Sequence, residues 1–329
     1  MKHSNISIFI PHIGCHHRCS FCDQRTISGA EKIPHGDDVR EICEKALAEV
    51  KSPENTEIAF FGGSFTAIPR AYMTELLEAA YSFVGEGKFK GIRLSTRPDC
   101  IDREVLTILK KYGVTSIELG AQSMSNKVLK ANQRGHSADD VKKSALLIRE
   151  YGFELGLQMM VGLYNSTAKR ELYTMDEIIK IRPDTVRIYP VVVLKGTRLA
   201  ELYESGEYAM MSFEKITQLC STMLREFSDN GIEVIKCGLH ASEFVERDML
   251  GGFYHPAFRE ICESHIYRRK MKELIRCESS CDYVFAVTPS CISKAIGQNK
   301  SNIKYFQELG LNIKIIGDEN IPKYQVELR

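Results

Sequence analysis

Cys15-His16-His17-Arg18-Cys19-Ser20-Phe21-Cys22 follows directly on the apolar run Ile6 to Pro11 and precedes everything else in the chain that carries chemistry. Three thiols spaced C-x3-C-x2-C within eight residues can close around one metal centre, because a short loop leaving a strand brings the sulfurs to one concave side. Three ligands leave one coordination position open. A zinc ion would fill it with a fourth protein ligand, for which His12, His16 and His17 are at hand. An iron-sulfur cube held by three cysteines would instead keep one iron free for a substrate or cofactor, which a cluster with four cysteines cannot do. The spacing leaves both readings open.

Outward from this loop, short β-rich runs alternate with segments of helical period. Ile6 to Pro11, Ile58 to Phe61, Ile92 to Ser95, Ser116 to Leu119, Glu154 to Met160 and Thr185 to Tyr189 read as strands. Asp38 to Lys51, Ala71 to Val84, Arg103 to Tyr112, Ala138 to Tyr151 and Lys169 to Ile181 read as the amphipathic helices between them. Such alternation predicts an α/β fold with a parallel sheet, and six strand-helix units predict an open, partial (β/α)6 TIM-type barrel. In barrels the reactive groups collect at the carboxyl ends of the strands. The polar motifs fall there.

After the second strand, Gly62-Gly63-Ser64-Phe65 offers two glycines that let a backbone approach a ligand, although a plain strand-to-helix turn explains a Gly-Gly pair equally well. The third strand ends in Ser95-Thr96-Arg97-Pro98-Asp99, where Arg97 could bind a polar group or pair with Asp99. The fourth gives Glu118-Leu119-Gly120-Ala121-Gln122-Ser123, with Glu118 set among apolar neighbours. A carboxylate there needs a partner, either a ligand or a barrel cation such as Arg97. Ser137 reads as the cap of the following helix. Gln158 and Met160 lie on the fifth strand, and Arg187 and Tyr189 on the sixth are expected to face the open mouth.

The cysteine spacing, with aromatic Phe21 just before the third cysteine, resembles the radical S-adenosylmethionine (radical SAM) enzymes. That resemblance implies a [4Fe-4S] cluster on Cys15, Cys19 and Cys22, whose free iron chelates SAM. One electron then splits the sulfonium to a 5'-deoxyadenosyl radical, which takes hydrogen from the substrate. It implies that Phe21, Gly62, Gly63, Ser95, Glu118, Gln158 and Arg187 hold SAM, and that a reduced carrier such as flavodoxin or ferredoxin supplies the electron. No side chain is named as a catalytic proton or hydrogen donor. Together, Gly62 to Phe65, Ser95 to Pro98, Glu118 to Ser123, Arg187-Ile188-Tyr189-Pro190 and Gly252 to Phe258 look like the radical SAM half of the Elongator catalytic subunit. The likeness runs over about residues 5 to 260. That family modifies the wobble uridine of tRNA through a fused acetyltransferase domain and acetyl-CoA, for which the remaining length is expected to hold no room. Where relatives carry Gly-Leu-Pro-Gly after the fifth strand, this chain reads Gly162-Leu163-Tyr164-Asn165.

The carboxyl end, residues 282–329, reads as strand, helix, Gly297-Gln298-Asn299-Lys300, helix, strand. It resembles a degenerate KH module, in which a Gly-x-x-Gly loop clamps a nucleic-acid backbone; Lys300 stands where the second glycine would be. Gly297, Gln298, Asn299 and Lys300 are the RNA-binding candidates, and a small cap packed on the barrel is the rival description. The expected division is 1–240 for the radical SAM barrel, 241–281 for a helical extension and 282–329 for the small α+β carboxyl-terminal module. Cys277 and Cys281 could join Cys262 or Cys291 in a second metal site, but no compact motif links them.

Composition narrows the classes. The 329 residues are 43% apolar with a formal net charge of +1, so a large core is affordable while no global field recruits nucleic acid. No run approaches the ~20 apolar residues of a membrane span, and no export signal opens the chain. Eleven cysteines then read as reduced thiols in a cytoplasmic protein rather than a disulfide framework. The expected function is radical SAM modification of RNA, with tRNA as partner. Two alternatives stand beside it: a radical SAM enzyme acting on a small molecule such as a porphyrinogen, and a zinc-stabilised RNA-binding protein.

Overall fold

A computed structural model describes residues 4–10, 19–23, 32–239, 243–276 and 282–329. The first half alternates strand and helix: β1 (Ser4–Ile10), α1 (Gly36–Glu49), β2 (Thr56–Gly62), α2 (Arg70–Tyr81), β3 (Gly91–Thr96), α3 (Arg103–Lys111) and β4 (Val114–Gln122). A short α4 (Asn126–Ala131) precedes α5 (Ala138–Glu150), β5 (Glu154–Val161), α6 (Ala168–Ile181) and β6 (Thr185–Pro190). Caps fix the helix starts: Asp102 accepts from the amide of Val105, and Ser137 forms a reciprocal box with Asp140 at α5, as its position before the apolar period predicts.

These strands pair in parallel in the order β1-β2-β3-β4-β5-β6 and curl into a half-barrel. The pattern continues through β7 (Val192–Leu194), α7 (Arg198–Glu204), α8 (Phe213–Asp229) and β8 (Glu233–Cys237). β8 adds a seventh parallel strand beside β6 among the described residues, one more than the six expected. Its five residues include a glutamate and a lysine, so neither length nor apolar content marks it as a strand.

Alternation along each strand separates two faces. Ile58, Phe60, Leu94, Ile117, Leu119, Leu157, Met159, Val186 and Ile188 point outward into the core shared with the helices and are at most 1% exposed. Phe61, Ser95, Gly120, Gln158, Met160 and Tyr189 point inward and stay half-buried. The inner face is therefore the open one.

Beyond the barrel lie α9 (Glu243–Asp248), β9 (Met249–Gly252) and α10 (Phe258–Leu274); β9 pairs antiparallel with β7, and α10 packs on α8. The carboxyl end folds as β10 (Asp282–Val287), α11 (Ile292–Ile296), α12 (Ser301–Glu308), β11 (Asn312–Gly317) and β12 (Glu327–Leu328), with strand order β11-β10-β12. Asn302 ties α12 to α10 by donating to the Ser264 carbonyl at 2.9 Å, and the apolar core runs unbroken from the sheet into Phe285, Val287 and Phe306.

Candidate active site

β1 and β2 are fastened to each other at their carboxyl ends, the end of β1 being the point from which the cysteine loop departs in sequence. Gly63 donates its amide to the Ile10 carbonyl at 2.7 Å. Gly62 stands at φ +104°, and a Cβ there would meet the Ile10 carbonyl oxygen at 2.9 Å, so only glycine fits. This close approach supplies a structural reason for Gly62. Farther along the loop, Ser20 is clamped by buried Asn132: the Ser20 amide donates to the Asn132 carbonyl at 3.1 Å and its hydroxyl to Asn132 Oδ1 at 2.9 Å. Asn132 in turn donates to the carbonyl of Tyr164 at 2.9 Å, and the Ser20 carbonyl accepts from Leu199 at 2.7 Å. One asparagine thus joins the cysteine loop to the segments after β4 and β5.

Phe21 is 8% exposed, packed with Val128, Leu163, Val193 and Leu199 in a second apolar cluster that also touches Cys19 and Cys22. Cys19 and Cys22 are half-buried and not in a disulfide, and a tight turn joins them, the Cys22 amide donating to the Cys19 carbonyl at 3.1 Å. Cys15, His12, His16 and His17 lie outside the described residues.

A guanidinium that the sequence does not single out faces Cys19. Arg134 donates from Nη1 to Cys19 Sγ at 3.2 Å and from Nη2 to the Gly120 carbonyl at 2.7 Å. Its own carbonyl accepts from Arg97 Nη2 at 2.8 Å, and Arg97 clasps Asp99 at 2.8 and 2.9 Å. Asp99, not Glu118, is thus the carboxylate that Arg97 pairs with. His136 donates from Nε2 to the Ala121 carbonyl at 3.1 Å, and burial, then the Arg134 charge, pushes its pKa down to about 4, leaving it neutral. Among the described residues, Arg97 Nη1, Arg134 Nε and His136 Nδ1 are buried polar atoms without a partner. Of these, Arg97 Nη1 and Arg134 Nε are N–H donors, whereas Nδ1 of the neutral His136 is an acceptor; the two buried guanidinium donors near Cys19 suit a strongly anionic group. The residues present therefore fit a thiolate-bound cluster.

Across the inner face runs a floor of buried charge. Arg93, its side chain 4% exposed, reaches Glu57 at 2.9 Å, Glu118 at 3.1 Å and Glu154 at 2.7 Å. Glu118 also receives both Nε and Nη2 of Arg187, at 2.6 and 2.9 Å. Glu118 and Arg187, both expected to hold SAM, are thus bonded to each other. The barrel cations on Glu118 are Arg93 and Arg187 rather than Arg97, because lateral pairing sets Ser95, not Arg97, beside Glu118. Arg187 lies over the Phe61 ring, 5.4 Å from its centroid, with its side chain 11% exposed. Above this floor Ser95 is half-buried, and Gln158 donates weakly to Gln122 at 3.4 Å. Burial raises the pKa of the neighbouring Tyr189 phenol, against the opposing charge of Arg187, so it remains protonated.

The loop after β5 has its own anchor. The Gly162 amide donates to Glu171 at 2.8 Å, and Tyr208 donates to the Gly162 carbonyl. Glu171 is 2% exposed, and burial lifts its pKa to about 7. In the carboxyl-terminal turn, Gln298, Asn299 and Lys300 are exposed while Gly297 is buried. Lys300 adopts φ +60°, the left-handed conformation a glycine would take freely. Cys262 lies against Cys220 and Cys237, not with Cys291. Cys277 and Cys281 are outside the described residues, and among those described no His, Cys, Asp and Glu group is arranged to hold a metal. Nor is any described helix long and apolar enough to cross a membrane.

Residues 9–178, just over half the chain, match the Radical SAM superfamily, and residues 183–268 match the Radical_SAM C-terminal domain. The chain is 30% identical to uncharacterized protein MJ0486 of Methanocaldococcus jannaschii over 229 residues, 66% of this chain and 70% of that one. It is 31% identical to Elongator complex protein 3 of Homo sapiens over 193 residues, 53% of this chain and 35% of that protein. Against the tRNA uridine(34) acetyltransferase of Methanocaldococcus infernus, identity is 29% over 197 residues, 53% of this chain and 37% of that protein. Matches to these last two thus span little more than a third of the relatives' length. Among solved structures, the archaeal M. infernus Elp3 with an N-terminal deletion gives a TM-score of 0.66 at 20% identity, covering 89% of this chain and 68% of that one. That likeness is one of fold.

Proposed function

The chain belongs to the radical SAM superfamily, and from that premise we propose that it modifies a nucleotide of tRNA. As a superfamily member it is a [4Fe-4S] and SAM enzyme, which sets aside the zinc-stabilised binding protein. The reading of tRNA as substrate is carried by one observation: similarity to Elongator complex protein 3 and to a tRNA uridine(34) acetyltransferase covers 53% of this chain in each case. When bound, the cluster and SAM supply one-electron cleavage of a sulfonium and hence hydrogen-atom abstraction.

The chain's own residues bind, orient and exclude. Cys19 and Cys22, with Cys15, would hold the iron, and Asn132 keeps their loop in place through Ser20. Arg134 offers positive charge to Cys19. Gly62 and Gly63 bring backbone close to the loop, while Ser95 and Gln158 present polar atoms over the Glu118 and Arg187 floor, whose mutual pairing holds the inner face rigid. Phe21 and its apolar neighbours exclude water from one side of the cysteines. We assign RNA contact to exposed Gln298, Asn299 and Lys300, with Gly297 shaping their turn, and delivery of the electron to a reduced carrier such as flavodoxin or ferredoxin.

Mass spectrometry of nucleosides from purified tRNA, comparing cells with and without the gene, tests the proposal. A modified nucleoside missing from the deletion and restored by the wild-type gene, but not by Cys19→Ala, is expected. Identical nucleoside profiles would remove tRNA as substrate and favour a small-molecule substrate such as a porphyrinogen.

A further inference from the structure

We infer that Arg134 is a positioning residue that fixes negative charge at Cys19 and so sets the potential at which the cluster accepts its electron. The inference rests on the reading of Cys19 as a cluster ligand and goes beyond it by assigning a role to a residue outside the cysteine motif. A guanidinium 8% exposed needs a counter-charge, since an unpaired buried charge is strongly unfavourable. Among the described residues Arg134 has no carboxylate partner: its bonds go to the Gly120 carbonyl and to Cys19 Sγ. Asp99 on the neighbouring turn is clasped by Arg97, and His136 is neutral. Among the described residues, the group that faces Arg134 in place of a carboxylate is therefore the Cys19 sulfur, a thiolate when it holds iron.

The side chain is also held so that it cannot turn away. Its Nη2 is pinned by Gly120, which has no side chain to block it: a Cβ there would lie 2.7 Å from Arg134 Nη2. Its backbone carbonyl is pinned by Arg97. Pre-placed positive charge and an N–H···S bond stabilise the more negative, reduced state of an iron-sulfur centre. The electron stays on the cluster, and Arg134 gains or loses no proton.

The test is anaerobic reconstitution of wild type, Arg134→Lys, Arg134→Gln and Arg134→Met, followed by iron and sulfide analysis and EPR-monitored potentiometry. Removing the charge in Arg134→Gln or Arg134→Met should lower the ratio of reduced to oxidised cluster at a fixed potential about tenfold, a shift of about 59 mV to more negative values for a one-electron couple. Arg134→Lys should lie nearer wild type. If Arg134→Met takes up no cluster, retention of the cluster by Arg134→Lys supports the role of charge, and its equal loss from the lysine variant overturns it. Charge-removing variants with full clusters at the wild-type potential would also overturn the inference. Absence of a four-iron cluster from wild type would instead strike the assignment of Cys19 on which it rests.

Discussion

Replacing Glu118 by glutamine should destabilise the fold before any cofactor is involved. Glu118 accepts three hydrogen bonds, from Arg93 at 3.1 Å and from Arg187 at 2.6 and 2.9 Å, and is 3% exposed. Glutamine keeps one acceptor but turns an –NH2 toward the donors on the other side. Arg93 retains Glu57 and Glu154. Arg187, with its side chain 11% exposed, has no other ion-pair partner among the described residues. Removing one partner of a buried pair costs about 3 to 5 kcal/mol, and the remaining acceptor places this variant near ~3. Arg187→Met should be similar alone, because Glu118 keeps only Arg93. The double variant removes both ends of the pair, and replacing buried ion pairs by apolar groups is often close to neutral. A double-mutant cycle by urea denaturation of the apoprotein should therefore give a coupling of about 2 kcal/mol or more. Single losses below ~1 kcal/mol, or additivity within ~0.5 kcal/mol, would refute the floor as a structural unit.

Asn132→Ala should cost about 1 to 3 kcal/mol, by leaving the Ser20 hydroxyl and the Tyr164 carbonyl without their side-chain partner, and should reduce the iron held per chain after reconstitution; unchanged iron would show that the clamp does not seat the loop. Gly62→Ala should cost at least ~1 kcal/mol in thermal or urea unfolding, because φ +104° and the 2.9 Å approach to Ile10 leave the methyl no unstrained position. For Glu171 the folded pKa, about 7, lies above the unfolded one. Its protonated form stabilises the fold at low pH, and that contribution is lost as pH rises through about 7, amounting to ~3 kcal/mol in full. Glu171→Gln, which preserves an acceptor for Gly162, should gain stability relative to wild type between pH 5 and pH 8, and parallel pH profiles would contradict the assignment.

The repeating strands and helices were legible because their periods differ: the residues read as strands at Ile58, Ile92, Ser116, Glu154 and Thr185 all lie in the sheet. β8 was not legible, since five residues with two charges carry no period. The cysteine motif was legible for a different reason, being local in sequence. Partners distant in sequence were not: Arg134 meets a thiol 115 positions away, and Glu118 finds Arg187 across 69. Both pairings are set by which strands lie side by side and in what register. A charged Arg93 inside the apolar run Ile92 to Leu94 was a readable signal of buried pairing, as was Asn132 just after an amphipathic turn, but neither names its partner.

The most direct measurement is 5'-deoxyadenosine formed from SAM by the anaerobically reconstituted, dithionite-reduced protein, with and without bulk tRNA, beside Cys19→Ala. About four irons per chain, as a single cubane requires, with 5'-deoxyadenosine production that tRNA stimulates and Cys19→Ala abolishes, is the expected result. No 5'-deoxyadenosine from wild type carrying a full cluster would contradict the account at its centre.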